Sequence, residues 1–222
     1  MASRFLLVAG VCLLAQLANA QSVPSRSFML GPSVGFDRVS YINGTGYVRA
    51  PTYSSPTGLN LGIDAAYQVN RLLVGVKVLY TNRLSRSDSP PNPPNPEDYI
   101  SAVETDLHVL TVPLSISYRL MREGRFRWYV GANIAAEYLL STSKSRLYGG
   151  TYSLGDLQFN KSDFGRPLNI GYGAQTTLQY QLIPLISLHV EPALRYYPSG
   201  GFPIRGYSSY QFQSAFSILF KV

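Results

Sequence analysis

Apolar and polar residues alternate with period two along eight stretches of this chain, at 28–36, 59–67, 72–80, 110–120, 128–140, 168–180, 186–196 and 210–222. Alternation of this kind places successive side chains on opposite faces of a strand, so each stretch predicts one. One face is apolar but for Thr176 and Ser214, as in Leu72, Val74, Val76, Val78 and Tyr80, and its 48 positions hold no charged residue. The other face is small and polar, carrying Ser33, Gly35, Asn60, Gly62, Gly131, Asn133, Gln175 and His189 among others. A soluble barrel or sandwich turns its apolar face inward. Bulk on one face and glycine on the other favours the inverse, apolar out and polar in, which is the arrangement of a barrel in lipid.

The connections alternate in length. Residues 37–57, 81–106 and 141–166 are long, 68–71, 121–126 and 181–185 are short, and 197–208 is intermediate. Tight turns on one side and long loops on the other are how outer-membrane barrels sit, with the turns in the periplasm. An even strand number then puts both termini on the periplasmic side. Aromatic residues near opposite strand ends predict two interfacial girdles: Phe28, Phe36, Tyr67, Tyr80, Trp128, Tyr138, Tyr180, Tyr196, Phe212 and Phe220. The expected fold is therefore all-β, an eight-stranded antiparallel up-and-down transmembrane β-barrel. One register is open: Leu107 and Val109 are apolar on the side opposite Leu110, which predicts a bulge or a strand leaving the bilayer.

Residues 1–20 read as a signal peptide, with Arg4 before an apolar run and Ala18-Asn19-Ala20 as a small-x-small cleavage site. The barrel domain is then 21–222. Cleavage removes Cys12, the only cysteine, and Arg4, so the formal charge falls from +7 to +6 and no thiol chemistry remains. The apolar run before Ala18 is too short for a membrane anchor, and no later segment offers about 20 apolar residues for a transmembrane helix. Only helices and closed barrels span lipid. A basic balance can signal nucleic acid, but an exported chain has little access to it and no Lys/Arg run stands out. The proline-rich stretch 89–96 predicts a stiff loop, and the sequons at Asn43 and Asn160 carry no meaning in a bacterial outer membrane.

The segment Val112-Pro113-Leu114-Ser115-Ile116-Ser117-Tyr118-Arg119, followed by Trp128-Tyr129-Val130-Gly131-Ala132, resembles the small outer-membrane β-barrel domain of Bacteroidota, the PorT-like group. Leu168-Asn169-Ile170-Gly171-Tyr172-Gly173 and Glu191-Pro192-Ala193-Leu194-Arg195-Tyr196 are similar to its sixth and seventh strands. The resemblance implies the fold and an outer-membrane location, and it transfers no catalytic residue. It also implies a terminal aromatic read by the barrel-insertion machinery; here the sequence runs Phe220-Lys221-Val222, leaving Phe220 for that role.

Eight strands enclose a lumen wide enough only for side chains or one small ligand. The inward charges Asp64, Glu137 and Glu191 are expected to pair with Lys77, Arg119, Arg127 and Arg195, because an unpaired charge in a confined interior is costly. Ser187, His189 and Glu191 face inward on one strand, but residues two apart lie roughly 6.6 Å apart, which argues against a hydrolytic relay. His108 and His189 fall on different strands, so no metal site is expected, and no cofactor motif occurs. The expected function is non-enzymatic: a structural or partner-presenting role through the long loops, an accessory role in secretion or surface assembly being one form of it. A narrow channel or small-ligand carrier is the alternative, and a lipid-modifying enzyme ranks third. Expected partners are outer-membrane lipid, the insertion machinery and a protein at the loops.

Overall fold

The computed structural model describes residues 26–41, 52–54, 57–88, 102–149, 152–157, 168–198 and 208–222. The signal-peptide, proline-rich and sequon readings fall outside them. Ten strands occur in order: β1 (Arg26–Tyr41), β2 (Thr52–Ser54), β3 (Thr57–Val69), β4 (Leu72–Asp88), β5 (Ala102–Glu123), β6 (Phe126–Gly149), β7 (Tyr152–Leu157), β8 (Leu168–Ile183), β9 (Ile186–Tyr197) and β10 (Ser209–Lys221). The pairing order β4-β3-β1-β10-β9-β8-β6-β5 is completed by β4 against β5, so eight antiparallel strands close on themselves. Closure leaves no edge within the ring, and every backbone donor and acceptor of the wall has a neighbour to pair with.

The alternation seen in the sequence decides which way each strand faces. Leu59, Leu61 and Ile63 are 53–59% exposed, and Leu114, Ile116, Ile134, Ile170, Tyr172 and Phe216 are all about half exposed. Asn60, Asp64, Gln68, Glu137, Gln179 and His189, on the other face, are buried. A continuous apolar belt around a closed barrel is far larger than water tolerates on a monomer, so the belt faces lipid.

Three hairpins close in two residues: Asn70-Arg71, Gly124-Arg125 and Pro184-Leu185. Asn70 and Gly124 both take φ 54°, the left-handed region that asparagine tolerates and glycine enters freely. Pro184 cannot do so, and there the β8–β9 register shifts between Gln181 and Ile183. At the other end the wall runs on. With 24 residues at about 3.3 Å each and a tilt of roughly 45°, β6 rises about 56 Å against a lipid band of about 25 Å. Beyond the barrel β2 pairs with β4, and β7 pairs with β6, widening the extension to the order β2-β4-β5-β6-β7.

The open register resolves as a bulge. Val109 pairs with Leu139 but His108 pairs with Ser141, so Leu140 is the extra residue and it lies in β6. Alternation over residues 107–117 of β5 is unbroken, with a separate bulge at Leu120 nearer the turn, and Leu107, Val109 and Leu139 all point inward as an apolar cluster. This corrects the expectation that the inner face is only small and polar. Met29, Ala66, Leu73, Tyr129 and Leu219 form a second inward apolar cluster near the turn end. Glycine serves close approach at Gly131, where a Cβ would run into the carbonyl oxygen of Ile116 and the Cα of Ser117 across the β5–β6 seam.

Candidate functional site

The interior is the site, and it is built in layers. Asp64 and Lys77 are directly paired across β3 and β4, so their side chains enter the lumen at one level. Lys77 Nζ hydrogen-bonds to the Asp64 carboxylate, lies 2.5 Å from Glu191 of β9, and reaches Ser217 Oγ at 3.5 Å. Ser217 in turn donates to Ser33 at 3.1 Å, tying β10 to β1 inside the barrel. One cation thus sits between two carboxylates, all three buried.

Nearer the loop end a second layer is centred on Arg83, whose Nη2 contacts the Asp37 carboxylate and lies 3.2 Å from Glu137. Gln211 Nε2 donates to the same two carboxylates, at 2.7 Å and 2.8 Å, and its Oε1 accepts from Tyr197 at 3.0 Å. Arg83, Asp37 and Gln211 are fully buried. Between the layers Arg195 is held by amides rather than carboxylates: Asn133 at 2.7 Å, Gln213 at 2.6 Å and Gln211 at 3.2 Å.

The seven charges singled out in the sequence therefore divide. Asp64, Lys77 and Glu191 meet. Glu137 joins Arg83 and Asp37, neither of which the sequence reading placed in the lumen. Among the described residues Arg195 contacts no carboxylate, Arg127 bonds to Gln68 at 2.8 Å and Gln181 at 3.3 Å, and Arg119 is half-buried near the turn end. The expected pairing of the three acids with the four bases is thus split over separate levels. Asp37 lies just past Phe36, the last lipid-facing apolar residue of its strand, and Arg83 lies beyond Tyr80 between the outward Asn82 and Leu84; only the inward alternation, continued beyond Phe36 and Tyr80, would have found them.

Ser187 and His189 require a correction. Their side chains lean together, and Ser187 Oγ lies 3.3 Å from His189 Nε2. The imidazole spans the distance that Cα spacing seemed to forbid. Glu191, the third residue, is engaged by Lys77 instead, so nothing on this strand orients the ring as a relay would need. Tyr80 Oη lies 2.6 Å from His108 Nδ1 on the outer surface, on the far side of the wall from His189. No cluster of three potential metal ligands occurs among the described residues.

The aromatic residues fall in two tiers. Phe28, Tyr67, Trp128, Tyr180 and Phe220 ring the turn end, and Phe36, Tyr80, Tyr138, Tyr196 and Phe212 the loop end; all are exposed except the half-buried Tyr196. Trp128 anchors to Thr176 Oγ1 at 2.6 Å. Tyr172 and Tyr210 flank Tyr196 with ring centroids 5.8 Å and 5.3 Å away, extending the loop-side tier beyond the residues read from sequence.

Residues 15–199 match the family described as Outer membrane protein beta-barrel domain. The chain belongs to that family. Its membership, with the closed ring and apolar belt, makes the protein an outer-membrane β-barrel in a lipid environment. No curated protein matches the chain. Solved structures of similar shape include Neisserial surface protein A, with 17% identity, a TM-score of 0.45 and coverage of 87% of this chain and 98% of that one. The outer membrane protein OprG from Pseudomonas aeruginosa has 11% identity, a TM-score of 0.45 and coverage of 90% and 97%. The attachment invasion locus protein Ail of Yersinia pestis has 12% identity, a TM-score of 0.41 and coverage of 86% and 98%.

Proposed function

We propose that this outer-membrane barrel works at its loop end and not through its lumen: it holds an extended sheet above the outer leaflet for a protein partner. The observation that carries this is the continuation of β4, β5 and β6 past the aromatic tier, broadened by β2 and β7, over an interior filled by buried ion-paired layers. On this reading the role is non-enzymatic, and an accessory part in secretion or surface assembly, together with a PorT-like affiliation, fits it. The first and last barrel strands begin and end beside the two-residue turns, so both termini lie in the periplasm, with Phe220 available to the insertion machinery. A signal peptide over residues 1–20 would deliver the chain there.

A photo-crosslinking residue at Ser87 in the extension, compared with one at Arg125 in a periplasmic turn, tests this in living cells. A discrete protein adduct at Ser87, formed from outside the cell, is the expected result. Adducts at Arg125 alone, or at neither position, would contradict the proposal. The narrow channel stands second; it needs a path past Lys77 and Arg83.

A further inference from the structure

The turn end of the barrel opens into a basin of about 100 Å3 lined by Arg26, Arg127, Lys221, Gln68, Gln181 and Ser187 among others, and no Asp or Glu is among its described lining residues. A space this size is well below the several hundred Å3 that a drug-sized ligand fills, and suits one small group. Its polar frame is ordered in a particular way. The side-chain amide of Gln68 donates to the carbonyl of Asn70 at 3.4 Å, and that of Gln181 donates to the carbonyl of Pro184 at 3.4 Å. Each glutamine is thereby pinned to a hairpin turn with its oxygen turned to Arg127, which it receives at 2.8 Å and 3.3 Å.

Two neutral acceptors thus position a guanidinium without cancelling its charge. Among the described residues Arg127 Nε is buried without a hydrogen-bond partner and no carboxylate pairs with Arg127. Arg26 and Lys221, both exposed, add two more positive charges at the rim. The surroundings carry the same sign. Arg71, Arg119, Arg122 and Arg125 also stand at this end, against Glu123 as the one acid in the same segments. The charge of the protein is therefore concentrated around the basin and not spread evenly, which draws anions to it. A guanidinium fork with flanking cations, and no carboxylate among the described lining residues, is the arrangement that binds an oxyanion with charge-assisted hydrogen bonds.

We propose that the turn-end basin is a phosphate site, with Arg127 as the central donor and Arg26 and Lys221 closing over the anion. The phosphate is either free in the periplasm or the head group of an anionic phospholipid in the adjoining leaflet. The site is independent of what the loops do, since it lies at the opposite end of the barrel.

The test is isothermal titration of inorganic phosphate into refolded protein in maltoside micelles, which contain no phosphate, with sodium chloride at equal ionic strength as control. Saturable binding is expected, weakened at least tenfold by Arg127→Gln and several-fold by Arg26→Gln or Lys221→Gln. The heat-modifiable gel shift reports that each variant is folded; if Arg127→Gln fails to shift, the two rim variants decide. No saturable heat, an equal response to chloride, or equal affinity in all variants would overturn the site. Adding phosphatidylglycerol to the micelles separates the sources. Loss of free-phosphate binding with phosphatidylglycerol, but not with phosphatidylcholine, assigns the head group, and unchanged binding assigns free phosphate.

Discussion

Lys77→Met is expected to destabilise the folded barrel by about 3–5 kcal/mol, the usual cost of removing one member of a buried ion pair. Among the described residues Lys77 is the one cation in ion-pair contact with Asp64 and Glu191, and all three are buried inside the wall. Without it two carboxylates face each other at one level of a closed lumen. They must either take up protons or draw water into the interior, and both routes cost free energy. The midpoint of urea unfolding, followed by the heat-modifiable gel shift, should fall accordingly. Adding Asp64→Leu and Glu191→Leu removes the stranded charges, and the triple variant is expected to recover most of the loss, because apolar replacement of a whole buried ionic cluster is often close to neutral. A triple variant as unstable as the single one would show that packing, and not charge, sets the cost.

The second large effect belongs to the outer face. Val76 lies mid-belt, 40% exposed, beside Leu114 of β5 and Ala65 of β3. Val76→Arg puts a guanidinium against hydrocarbon near the bilayer centre, and a loss of about 2–4 kcal/mol is expected. The same substitution at Leu84, also outward and 49% exposed but near the loop end, should cost about 0–1 kcal/mol, since the penalty vanishes near the interface. Unfolding from vesicles measures both. Equal costs would mean that the exposed apolar belt is not a depth-graded lipid surface.

Most of the fold was legible because lipid on one side and a narrow lumen on the other impose a strict alternation. Apart from Val222, just past the end of β10, the eight ranges read from the sequence lie within barrel strands, since an outward charge there would be penalised. The signal faded wherever that penalty lapsed. Past Phe36 the outward positions become Arg38 and Ser40, and past Tyr80 Asn82 comes before Leu84, so the stripe is broken, yet β1 and β4 continue and carry Asp37 and Arg83 inward. It also faded where both faces are apolar, as at Val78-Leu79-Tyr80 and Ile218-Leu219-Phe220, which hid the inward Leu79 and Leu219. The short β2 and β7 have no lipid-facing stripe to betray them. In the lumen, the charged residues were visible but their pairing was not, because partners such as Lys77 and Glu191 are set by barrel closure. The turn-end basin was least legible, as it depends on two glutamines bonding to turn carbonyls.

The defining feature of this barrel is a lumen closed by its own side chains. Single-channel recording of the refolded, gel-shifted protein in planar bilayers tests that most directly. No discrete conductance steps are expected, because the Lys77 and Arg83 layers and the apolar clusters at both ends fill the interior. Reproducible steps from the folded protein, altered by Lys77→Met, would contradict it and make the lumen a conducting path.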